Sequence, residues 1–149
     1  MSKAEQAKEL FLSGHNCAQA VLCAYADEVG LSREQALAAA ACFGGGLGGQ
    51  REVCGAVSAM CMVFSLKHAP KDPTDHAAKT AFYAHIKELC NRFKEENGSI
   101  ICRELLGLSC ANQPAPQPRT QAYYHARPCA DKVKSAAAIL EKYLAEQNL

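Results

Sequence analysis

No Cys-x-x-Cys occurs anywhere in this chain, which removes both the dithiol motif of thioredoxin-like proteins and the commonest zinc knuckle. Nor is there a Cys-x-x-Cys-His, the signal for covalent haem attachment. An excess of one charge is missing too. Sixteen basic residues against 15 acidic ones leave a formal net charge of +1, so neither a nucleic-acid surface nor a polybasic membrane anchor is expected. Long apolar runs are absent: the strongest, Val53 to Leu66, would reach only about 21 Å as a helix, short of a bilayer core, and no membrane insertion is expected. The first turns carry Lys3, Glu5, Lys8 and Glu9 where a secretory signal would have its apolar centre, and the expected location is the cytoplasm. Tryptophan is absent, and Val, Ile and Thr together supply only 13 residues against 27 alanines. Branched side chains lose rotamer freedom in helices, so this balance favours helix over strand.

What is present is a set of helix punctuation marks. Ser2-Lys3-Ala4-Glu5 is a capping box, Asn16 can cap a second helix that stops at Gly30, and Ser32 with Gln35 repeats the box for a third, alanine-rich helix. The run Phe43 to Gly49 predicts a tight loop. A fourth, largely buried helix is expected from Glu52 to about Leu66, with Cys54, Val57, Cys61 and Phe64 on one stripe. Asp72-Pro73-Thr74-Asp75 reads as the start of a long fifth helix closed by Asn97-Gly98, and Ser99 as the cap of a short sixth ending at Gly107. Prolines 114, 116 and 118 predict a long extended connection from Leu108 to Ala126, after which Arg127-Pro128 starts a last helix. At 149 residues the chain can bury a core without staples. The expected architecture is all-α, a compact single-domain bundle of about six or seven helices over residues 1–149.

Nine cysteines are many for such a chain, and an odd number argues against a fully paired disulfide framework. They sort by position. Cys17, Cys54, Cys102 and Cys129 each fall in the first turn of a different expected helix, where unpaired amides and the helix dipole favour a thiolate, which is both the nucleophile and the metal ligand. Cys17, Cys54 and Cys129 also lead apolar faces, so they should point inwards. Cys23, Cys61 and Cys90 lie within helices, Cys42 near a helix end and Cys110 in the connection. Packing is the expected role of Cys23, Cys42, Cys61 and Cys90.

The segments 16–21 (Asn-Cys-Ala-Gln-Ala-Val), 43–49, 54–59 (Cys-Gly-Ala-Val-Ser-Ala) and 102–107, with the late Cys129, together resemble the C-GCAxxG-C-C family, a group described as redox-active and marked by four cysteines and a Cys-Gly-Ala-x-x-Gly motif. The resemblance covers nearly the whole chain and places the family's four cysteines on Cys17, Cys54, Cys102 and Cys129. The final motif glycine is Ala59 here. The resemblance implies redox or metal chemistry and no defined substrate.

Three functional readings stand at this point. The leading one is a candidate thiol–disulfide oxidoreductase with Cys17, Cys54, Cys102 and Cys129 as catalytic residues, an unidentified redox partner or small oxidant, and no cofactor. In the second, the same four thiolates are metal ligands holding zinc or an iron–sulfur cluster. In the third, the chain is a helical adaptor with structural cysteines. Gly44-x-Gly46-x-x-Gly49 matches the dinucleotide fingerprint only as letters, since no strand precedes it. His15 stands two residues before Cys17 as a candidate base or ligand, with an exposed loop position the expected alternative.

Overall fold

Capping residues are the sharpest marks in the sequence, and the computed structural model, which describes residues 1–107, 118–126 and 128–149, is organised around them. Helix α1 (Lys3–Leu12) opens with the Ser2/Glu5 box, Ser2 Oγ accepting from the Glu5 amide at 3.2 Å and Glu5 Oε2 from the Ser2 amide at 3.0 Å. Helix α2 (Cys17–Ala24) opens with the same reciprocal pair between Asn16 and Gln19, and α3 (Arg33–Ala40) with Ser32 and Gln35. Then follow α4 (Gly55–His68), α5 (His76–Asn97), α6 (Cys102–Leu106), α7 (Gln121–Ala126) and α8 (Cys129–Glu146). The fold is all-α, and among the described residues the only extended pairing is one antiparallel bridge between Val53 and Ile101.

Several boundaries differ from the sequence reading for local reasons. Helix α2 ends at Ala24, and the chain reaches Gly30 through a 3-10 turn, Ala26–Val29. Helix α4 starts at Gly55 rather than Glu52 because residues 52–54 are taken up by the bridge. The cap of α5 is Asp75, which accepts from the Ala78 amide at 3.0 Å, while Asp72 turns back on Thr74. Ser99 does not cap α6: its hydroxyl accepts from Ile101 two residues on, and Ile101 holds the cap position. The connection expected to be extended contains α7, whose Tyr123 amide is received by Thr120 Oγ1 at 3.1 Å. Cys110 and prolines 114 and 116 lie outside the described residues.

Helix α2 is central, packing on α1, α3, α4 and α8, while α5 closes the far side against α4 and α8. The core takes Phe11 from α1, Val21 and Leu22 from α2, Met60, Val63 and Phe64 from α4, Leu89 and Phe93 from α5, and Val133 and Leu140 from α8, all fully buried. Alanines 18, 20, 56, 59, 136 and 137 are equally buried, which lets the helices approach closely. Ala59, the departure from the motif glycine, therefore has its methyl group accommodated in the packing. The Tyr25 hydroxyl, buried between α2 and α8, donates to the Ala137 carbonyl at 2.8 Å, satisfying a group that would otherwise destabilise the core. Among the described residues no helix is long and apolar enough to cross a membrane.

Candidate functional site

Three of the four first-turn cysteines, Cys17, Cys102 and Cys129, are the first residues of their helices, and the fourth, Cys54, is the residue before α4. What brings them together is backbone geometry around the glycine run. Residues 44–49 coil through left-handed turns, with φ of +64° at Gly45 and +67° at Gly46. The turn returns the chain so that the Arg51 and Glu52 amides donate to Gly45 and Gly46 carbonyls at 3.0 and 2.9 Å. Glu52 to Cys54 then pairs with Ile100 to Cys102: the Cys54 amide donates to the Ile100 carbonyl at 2.8 Å and the Cys102 amide to the Glu52 carbonyl at 2.6 Å. This short ladder sets Cys54 and Cys102 on neighbouring strands of backbone. Gly46 is required where it is, because a Cβ there would stand 2.8 Å from the Cys102 Cβ and 2.7 Å from the Glu52 nitrogen. Gly55 has a similar reason: its missing Cβ would meet the Phe43 carbonyl oxygen at 2.7 Å.

All four cysteines line one cavity of about 50 Å³. That volume admits a few water-sized groups. Cys54, Cys102 and Cys129 are buried and Cys17 partly so. The Cys129 side chain beside Cys17 raises its pKa well above the ordinary value, with burial and then Cys129, Cys54 and Cys102 as neighbouring anions adding to the effect. Cys54 is pushed up to about 11 by burial, even though the nearby Val57 and Ala56 amides at the start of α4 oppose the change. The four first-turn cysteines thus line one cavity, but their helix positions alone give an incomplete electrostatic account. The amides act as expected, and desolvation outweighs them at Cys54.

The sequence reading missed the cations of this cavity. Arg51, buried and with a left-handed backbone (φ +61°), reaches Cys102 Sγ with Nη1 at 3.7 Å. Arg119 lines the cavity while its guanidinium donates to the His15 carbonyl at 2.8 Å and the Phe11 carbonyl at 3.2 Å, lying 4.4 Å from the Phe11 ring centre. Lys132, one turn after Cys129, lines it too and donates to Asn97 Oδ1 at 3.0 Å. Among the described residues no carboxylate lines the cavity. Single basic residues scattered at 51, 119 and 132 carry no pattern that a sequence scan would pick out. His15 is not a wall residue: it is partly buried, its Nδ1 faces Ser13 Oγ at 3.4 Å, and burial lowers its pKa.

Zinc or an iron–sulfur cluster would suit four thiolates in donor chemistry. Among the described residues, however, no three His, Cys, Asp or Glu side chains stand together in a group that could hold a metal ion. The arrangement does not fit that reading, and no step is built on it.

The packing cysteines divide. Cys23 is partly buried on α2 with its pKa raised by desolvation, and Cys42 is exposed. Cys61 and Cys90, from α4 and α5, stand with their sulfurs 3.8 Å apart.

A helical bundle in which cysteines from four separate helix starts line one cation-lined cavity defines a cysteine-cluster protein. The family model described as "Putative redox-active protein (C_GCAxxG_C_C)" matches residues 15–143, and the chain belongs to that family. No curated protein and no solved structure matches it.

Proposed function

We propose that the protein is a thiol–disulfide oxidoreductase in which Cys129 and Cys17 form the working pair of the four-cysteine cavity. The observation that carries this reading is the cavity that all four cysteines line, in which Cys129 is the neighbour that acts most strongly on the Cys17 thiol. Cys17, whose pKa lies well above the ordinary value beside Cys129, is the thiol that holds its proton, and Cys129 is assigned as the attacking sulfur. In the forward step the Cys129 thiolate attacks one sulfur of a substrate disulfide R–S–S–R′. A bond forms from Cys129 to one substrate sulfur and the other leaves as RS⁻, which takes up a proton. Cys17 then gives up its proton and attacks Cys129 Sγ, forming the Cys17–Cys129 disulfide and expelling R′S⁻. Two electrons have passed from the pair to the substrate, and the reverse sequence oxidises a dithiol.

Arg51, Arg119 and Lys132 would attract a substrate that carries negative charge and would stabilise the departing thiolate. The cavity is too small for a peptide, so the substrate presents only its sulfur to it. The substrate class is then a small disulfide bearing carboxylates. Stopped-flow oxidation of the reduced protein by glutathione disulfide, compared with the cationic disulfide cystamine at low salt, tests both parts. The anionic disulfide should react faster by at least about tenfold, with the advantage fading as salt rises. Cys129→Ser and Cys17→Ser should each abolish the linked product, with Cys17→Ser leaving a mixed disulfide on Cys129. Equal rates with both disulfides would remove the substrate class, and an unchanged reaction in Cys129→Ser would remove the mechanism.

A further inference from the structure

Cys61 and Cys90 were expected to do nothing but fill space, yet the fold pairs them. Cys61 lies on α4 and Cys90 on α5, and their sulfurs stand 3.8 Å apart and hydrogen-bonded. A disulfide needs about 2.05 Å between sulfurs, a closure that side-chain rotation of the two residues would have to supply. Both side chains are partly buried, so neither is sealed from a small reagent. The pair is also separate from the four-cysteine cavity. Neither residue lines that cavity. Cys61 lies seven residues after Cys54, on the order of 10 Å along the helix axis.

We propose that Cys61 and Cys90 form a second redox site, a dithiol that a small disulfide oxidises to a reversible disulfide tying α4 to α5. The roles within the pair are unequal. Either sulfur can donate the hydrogen bond between them; with Cys61 as the donor the bond lowers the Cys90 pKa to about 7 against the opposing effect of burial and raises that of Cys61. Cys90 is therefore the attacking thiolate. It displaces RS⁻ from a disulfide R–S–S–R and becomes a mixed disulfide. Cys61 then loses its proton and attacks Cys90 Sγ, the Cys61–Cys90 bond forms, and a second RS⁻ leaves. The protein gives up two electrons and two protons, and the oxidant ends as two thiols. The crosslink joins residues 29 apart in sequence and closes the turn between α4 and α5, so the oxidised form should resist unfolding more than the reduced one.

The experiment is graded oxidation of the reduced full chain by glutathione disulfide, quenched with acid, alkylated and digested with trypsin without reduction. The expected product links peptide 52–67 to peptide 88–92. The first of these contains both Cys54 and Cys61, so fragment ions cut between Ser58 and Met60 must assign the bond to Cys61. In Cys61→Ser the same oxidation should stop at a glutathione adduct on Cys90. Alkylation of Cys90 at neutral pH should fall by roughly tenfold in Cys61→Ala, where the hydrogen-bond donor is removed altogether. The proposal is overturned if wild-type Cys61 and Cys90 both remain alkylatable throughout the titration. It is equally overturned if Cys90 stops at the glutathione adduct with Cys61 intact beside it, or if either residue links to a cavity cysteine instead. The main readout uses the wild-type protein, so it stands even if a variant folds poorly, and it is independent of the Cys17–Cys129 product.

Discussion

Replacing Gly46 by alanine should damage the four-cysteine cavity in a way that a neighbouring glycine, used as control, will not. Both Gly46 and Gly48 have left-handed backbones, with φ of +67° and +61°. An alanine at either position therefore pays the left-handed cost of an L residue, about 1 to 2 kcal/mol. At Gly48 nothing lies within 4 Å of the added Cβ, so the cost should end there. At Gly46 the new Cβ would meet the Glu52 nitrogen at 2.7 Å and the Arg51 Cα and Cys102 Cβ at 2.8 Å each. Two of these are backbone atoms held by the ladder that pairs Glu52 to Cys54 with Ile100 to Cys102, so they cannot rotate away. Overpacking of this kind adds about 1 to 3 kcal/mol, for a total of about 2 to 5 kcal/mol. Urea unfolding of the fully reduced variants, followed by circular dichroism, measures both values. The alkylation rate of Cys102 relative to Cys23 reports whether the cavity itself has shifted. If Gly46→Ala costs no more than Gly48→Ala and Cys102 labels as in wild type, the glycine run does not set the cavity as described.

Other consequences follow from the same geometry. Folded Cys54 ionises near pH 11 and the unfolded thiol near 9, so between these values the unfolded chain has lost a proton that the native state keeps. Stability should therefore fall as pH rises from 9 to 11, by up to about 3 kcal/mol from this group, and pH-dependent denaturation of Cys54→Ala should show that part of the slope removed. Tyr25→Phe removes the donor to the Ala137 carbonyl and should cost about 0.5 to 1.5 kcal/mol in the same urea assay, with no effect on thiol chemistry. Protein purified without oxygen should be colourless and show its full complement of titratable thiols; visible absorption bands would indicate a cluster that the described side chains are not arranged to hold.

The all-α architecture was legible because its signals are local. The capping boxes at Ser2 and Ser32 and the cap at Asn16 form as the sequence implies, since each needs only residues three apart, and Gln19 completes a third box at Asn16. That Cys17, Cys54, Cys102 and Cys129 share a setting was legible, because helix starts can be read one at a time, and the four do line one cavity. The assembly of that cavity was not. The bridge between Val53 and Ile101 that sets Cys54 beside Cys102 joins segments far apart in the chain, and no spacing announces it. The same holds for Cys61 and Cys90. Cys61 stands seven residues before the end of α4 and Cys90 fourteen after the start of α5, so the hairpin's own symmetry does not pair them; their register is set by packing. The thiol electrostatics also exceeded what the sequence offers, because the helix-terminal amides are visible from chain position while the burial that outweighs them at Cys54 is a property of the folded core.

The most direct test of the central claim is to oxidise the wild-type protein stepwise in a glutathione redox buffer, trap it with acid and map every disulfide by mass spectrometry. A bond between Cys17 and Cys129 should form and dissolve reversibly with the buffer potential, joining peptide 9–33 to peptide 120–132, with fragment ions cut between Ala18 and Leu22 assigning it to Cys17 and not Cys23. The claim would be contradicted by Cys17 and Cys129 remaining free thiols across the whole titration, or by their pairing with Cys23 or Cys42 outside the cavity.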